Sequence, residues 1–84
     1  MKKQILENYP EDEFLFADGF DEAIIGVDER TMNIIYSVSK CYDILEKDMT
    51  EEEAMEYFDF NVRGSYVGEH TPTWCNDNFE RHRM

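Results

Sequence analysis

AIIGVDERTMNIIYS, residues 23–37, decides how the rest of this chain is read. Ile24, Ile25 and Val27 stand on one side of a short polar connector, Ile34, Ile35 and Tyr36 on the other. β-Branched and aromatic enrichment of this kind favours strands over helices. Residues 23–28 and 32–37 are therefore expected to pair as antiparallel strands through the connector 29–31. Alternation places Met32, Ile34 and Tyr36 on one face and Asn33, Ile35 and Ser37 on the other. In the preceding strand it groups Ala23, Ile25 and Val27 opposite Ile24 and Gly26.

Upstream, the apolar run 14–17 (FLFA) reads as a further short strand, joined to the hairpin by 18–22 (DGFDE). Three strands in sequence would make an antiparallel meander. The connector itself gathers Asp18, Asp21 and Glu22 around Gly19 and Phe20. Clustered carboxylates attract hard cations, but this spacing does not follow the calcium-loop pattern of alternating ligands and a distant glutamate. Asp and Gly are also the residues a tight turn prefers. The turn is the expected reading, with a metal site or a partner contact through an exposed Phe20 as the alternatives.

Downstream, two helices are expected. Ser37 or Ser39 caps the first, which runs to about Lys47. Val38, Cys41, Tyr42, Leu45 and Met49 recur at helical spacing as its buried stripe. The second opens with Thr50-Glu51-Glu52-Glu53, a capping box whose glutamates suit the positive end of the helix dipole. Ala54, Met55, Phe58, Asn61, Val62 and Ser65 share its inner face, and Gly64 or Gly68 would end it. Residues 71–75 are open to a short edge strand, because Pro72 bars a central position. The organisation expected is a polar lead-in at 1–13, with room for one or two helical turns at 1–8 that Pro10 ends and that touch the domain through Ile5 and Leu6, then one domain at 14–75 and a mobile tail at 76–84. The fold class is α+β: a three-stranded antiparallel meander followed by two helices packed on one face.

The 84 residues carry 20 acidic and 8 basic side chains, a net charge of -12. A field of that sign repels nucleic acid and anionic membranes and attracts basic protein surfaces. Direct nucleic-acid binding is therefore not expected, and no run reaches membrane-spanning length. Six Phe, five Tyr and one Trp supply enough apolar area for a folded core. The two cysteines, Cys41 and Cys75, are too few for a disulfide framework. With no secretory leader at the start, a cytoplasmic location with reduced thiols is expected. Cys41, His70, Cys75 and His82 have no zinc-ligand spacing, and no glycine-rich phosphate loop occurs. No catalytic residue, metal or cofactor is expected.

The second helix carries the clearest functional signal. Glu52, Glu53, Glu56 and Asp59 lie on its outer face, interrupted by Arg63; Tyr57 and Phe60 lie off the buried stripe, Phe60 nearly opposite its centre. An aromatic there is either covered by the C-terminal segment with Trp74, or is an anchor for a partner among the steering carboxylates. Residues 11–29 hold eight acidic side chains and no basic one, and residues 43–59 hold eight against Lys47 alone. If both blocks share a side, with Asp21 and Glu22 from the first, they would imitate a phosphate track and act as a nucleic-acid decoy.

The stretches FLFADGFDEAIIGV (14–27) and MTEEEAMEYFDFNVRGSYVGEHTPTW (49–74) resemble a family of small uncharacterised acidic proteins of bacteriophage and prophage genomes. The resemblance implies no activity and no catalytic residue. It implies a small accessory factor made during infection that acts by binding a host protein, including anti-defence roles such as anti-CRISPR. The expectation is thus a non-enzymatic, acidic protein-binding factor that masks a basic surface of a host protein, using Asp21, Glu22, Glu52, Glu56, Asp59 and Phe60. A small-ligand or metal-binding module, with a pocket of Tyr36, Tyr42, Tyr66 and Trp74, and a structural homo-oligomer are the alternatives.

Overall fold

The hairpin at the centre of the sequence is present in the computed structural model, which describes residues 1–64 and 68–79. Strand β1 (Ile24–Asp28) pairs antiparallel with β2 (Asn33–Ser37). Its alternation differs from the expected one, because the register shifts between Ile24 and Gly26 and leaves Ile25 without a partner. Ile24 opposes Tyr36, whereas Val27 opposes Ile34. The bulge changes the phase of the strand, so Ile24 is buried and Val27 packs on the core while Ile25 turns outward. Met32 belongs to the connector rather than to the strand. It has φ 59°, and its N–H donates to the Asp28 carbonyl at 2.6 Å. A bulky residue in this left-handed region is strained. Met32→Asn should relieve that strain and raise stability by roughly 0.5–1 kcal/mol, read as a higher urea midpoint with an unchanged slope.

The third strand is not residues 14–17. Strand β3 (Thr73–Cys75) occupies the other edge of β2 and runs parallel to it, giving the order β1-β2-β3. The expected antiparallel meander is therefore a mixed sheet. A parallel neighbour needs a long crossover, and the helices Val38–Leu45 and Glu51–Phe58 lie within it. Residues 14–17 instead form an extended strap outside the sheet. The turn that follows closes with Phe20 N–H donating to the Ala17 carbonyl at 3.1 Å, and Gly19 supplies the positive φ, 88°, that its third position needs. A 3-10 turn (Asp21–Ala23) comes next, so the chain enters β1 without folding the strap back alongside it. The Ala17 N–H is satisfied by the Tyr36 hydroxyl at 2.6 Å rather than by a ladder.

Three helices complete this α+β domain. α1 (Lys2–Asn8) comes from the segment read as a polar lead-in, and its Ile5 is part of the core. α2 (Val38–Leu45) is capped by Ser37, whose Oγ accepts from the Lys40 N–H at 3.1 Å. Val38, Cys41 and Tyr42 are its buried stripe, as the spacing predicts. α3 (Glu51–Phe58) begins with the expected capping box: the Glu53 N–H donates to Thr50 Oγ1 at 3.1 Å and the Thr50 N–H to Glu53 Oε1 at 3.0 Å. It continues as a π-helical turn (Asp59–Arg63) and stops at Gly64, whose φ of -79° is not left-handed.

Phe58 joins the layers. Its ring meets Tyr42 at 5.4 Å, Phe20 at 6.1 Å and Trp74 at 5.3 Å, all near edge-on. Of the expected tail, residues 76–79 are described. The Asp77 carboxylate accepts from the Ser37 hydroxyl at 2.6 Å and from the Ser39 N–H at 2.9 Å, and Asn78 is buried. Residues 80–84 lie outside the described residues.

Candidate functional site

The outer side of α3 is built from its first turn upward. Glu51, Glu52 and Glu53 open the helix at its positive end. The Thr50 N–H bonded to the Glu53 carboxyl, followed by the Thr50 hydroxyl, holds that group below its ordinary range. Glu52 and Glu56 are exposed. In the π turn, Asp59 Oδ1 lies 3.6 Å from Arg63 Nη1 and accepts from the Tyr42 hydroxyl at 3.4 Å. Burial, and then the neighbouring Asp59 charge, pushes the Tyr42 hydroxyl up, so it remains protonated at neutral pH. Asp59 is thus held by its own domain, whereas Glu52 and Glu56 point to solvent.

Phe60 is 80% exposed, and Tyr57 one turn earlier is 45% exposed. The expectation that Trp74 covers Phe60 is not met. Trp74 packs on Tyr36, with ring centres 5.1 Å apart, and on Phe58. The physical reason is β3: its parallel pairing opposes Trp74 to Tyr36, which leads the indole onto the core side of α3.

The hairpin carboxylates have different surroundings. Asp21 lies 3.5 Å from the Lys2 ammonium. Glu22 shares a shallow hollow with Lys40, Asp43, Ile44 and Lys47. Their cationic neighbours therefore come from α1 and from α2 with its following turn. Glu52, Glu56, Asp59 and Phe60 share one continuous helical segment, and no described ion pair or hydrogen bond joins Asp21 or Glu22 to it. Phe20, weighed as an exposed partner contact, is buried against Phe58. Tight turns bury a side chain when the next element brings it under a helix, and the 3-10 turn does so here.

The pocket expected from Tyr36, Tyr42, Tyr66 and Trp74 does not form among the described residues. Tyr36 and Tyr42 are core residues, and Tyr66 lies outside the described residues. A different groove of about 400 Å³ opens between the strap and α3. Leu15, Phe16, Ala17, Asp18 and Phe20 form one wall, Tyr57, Asn61 and Val62 the other, with Pro72 and Trp74 from the β3 segment. Leu15 and Tyr57 are exposed. The sequence reading missed this groove. The one hint was Leu15, an apolar residue between two phenylalanines in a strap too short to bury all three.

Among the described residues, no three His, Cys, Asp or Glu side chains gather closely enough to share a metal ion. Both cysteines are free. Burial, then the Asp77 charge, pushes the Cys41 thiol up to about 12, so it stays protonated. His82 lies outside the described residues. Among the described residues no helix is long and apolar enough to cross a membrane. No protein-family model, curated protein or solved structure matches the chain.

Proposed function

We propose that this chain is an acidic, non-enzymatic protein-binding factor that masks a basic surface of a partner protein. The observation that carries this reading is Phe60, 80% exposed on the same helical segment as the solvent-facing Glu52 and Glu56. An exposed aromatic on a helical segment that also carries exposed carboxylates combines a desolvating anchor with long-range steering. The net charge of -12 extends that attraction to any strongly basic surface. On the resemblance to phage proteins, the partner is a host protein and the role is anti-defence, of the anti-CRISPR kind, carried out in the host cytoplasm. Asp21 and Glu22 add to the field in this reading without sharing the Phe60 contact.

Capture of a basic host protein on the immobilised chain tests the proposal. Binding should weaken by at least about tenfold as salt rises from about 0.05 to about 0.5 M. Phe60→Ala and Glu56→Lys should each weaken it by about tenfold or more with little change in melting temperature. Capture indifferent to salt and to both substitutions would sink the reading. Concentration-dependent dimerisation abolished by Phe60→Ala would instead assign Phe60 to a homo-oligomer contact.

A further inference from the structure

We propose that the groove between the strap and α3 receives a basic amphipathic segment of the partner, with one apolar side chain seated against Val62 and Trp74. This rests on the protein-binding reading above and names the chemistry of the partner. Among the described residues the lining is apolar apart from Asp18 and Asn61, and it includes a carboxylate but no cation. The two described cations near the groove are each paired with a carboxylate. Lys2 lies 4.5 Å from the centre of the Phe16 ring and pairs with Asp21. Arg63 pairs with Asp59 and lies 5.4 Å from the centre of the Phe58 ring. Glu56, exposed on the same helix, and the net charge of -12 add a long-range negative field around the groove. An apolar slot with an anionic edge selects an apolar side chain flanked by Lys or Arg over a neutral or acidic segment.

Shape favours a chain segment over a small molecule. A small ligand binds tightly when most of its surface is enclosed, and this is an open groove with exposed lips at Leu15 and Tyr57. Tyr57 and Phe60, three residues apart on the same helical segment, are both exposed. Apolar surface therefore continues past the groove, at a length a peptide can follow.

Trp74 is the single tryptophan and lines the groove, so its fluorescence reports occupancy. The probes are a short synthetic peptide of leucine and lysine, the same length of lysine alone, and the neutral dye Nile red. The leucine–lysine peptide should shift Trp74 emission and bind at least about tenfold more tightly than lysine alone. Leu15→Gln, at an exposed position that leaves the core intact, should weaken that peptide by about tenfold. Asp18→Asn should weaken it severalfold and flatten its salt dependence. If lysine alone binds as tightly and Trp74 does not respond, the groove assignment falls while the acidic-face reading stands. If neither cationic peptide binds, both fall. If Nile red shifts Trp74 and the leucine–lysine peptide does not, the groove is a small-molecule site and the proposal is overturned.

Discussion

Phe58→Ala is expected to lower stability by about 3–5 kcal/mol, against roughly 5–10 kcal/mol for a small domain as a whole. The ring is completely buried and touches Phe20, Tyr42 and Trp74 edge-on. Those contacts join the strap turn, α2 and β3 to α3, so truncation opens a cavity at the junction of four segments. Such a cavity collapses poorly, because each wall is anchored in a different part of the chain. Phe60→Ala, two positions later, should change stability by less than about 0.5 kcal/mol. Urea unfolding of both variants measures the contrast. Similar losses would mean that Phe60 is packed in solution, which would also remove it as a partner anchor.

Asp77→Ala is expected to cost about 1–3 kcal/mol. The carboxylate takes the Ser37 hydroxyl and the Ser39 N–H, and Ser37 is completely buried. Removing Asp77 leaves that hydroxyl without its acceptor beside the first turn of α2. It also frees the segment after β3 from the start of α2, the tie that closes the sheet against the helix. Burial pushes the Asp77 carboxyl up, but the Ser37 and Ser39 hydrogen bonds and the Lys40 charge outweigh it and hold it below its ordinary value of 3.8. A depressed folded value makes the contribution complete above the unfolded value. It is lost as pH falls from about 4 through the folded value. Asp77→Ala should therefore lose part of the wild-type acid sensitivity below about pH 4, besides being less stable at neutral pH. Acid titrations of wild type and variant that stay parallel throughout would remove Asp77 from that role.

Much of the local structure is legible because its causes are local. The Thr50–Glu53 capping box needs only residues three apart, and the Ser37 cap needs Lys40 three positions on. The hairpin follows from two β-branched runs and a short polar connector. The α2 stripe follows from helical spacing, and the same spacing correctly moved Phe60 away from the core side of α3.

The readings that changed depend on partners far away in the chain. Alternation in β1 fails at Ile25 because a bulge brings both Ile24 and Val27 onto the core, and only the pairing with Tyr36 and Ile34 specifies it. Residues 14–17 have strand composition, yet β2 has two edges and both are taken, by β1 and by β3. Phe20 and Phe60 each stand beside acidic residues in sequence, and one is buried while the other is exposed. A turn residue's direction is decided by what the turn is packed under.

By itself the sequence determined the charge, the hairpin, the starts of α2 and α3 and the outward direction of Phe60. These rest on composition, backbone preference and contacts within a few residues. Tertiary structure alone decided the parallel third strand, the Asp77 tie and the groove. Each joins segments distant in the chain, and no periodicity along one segment carries the distance to another.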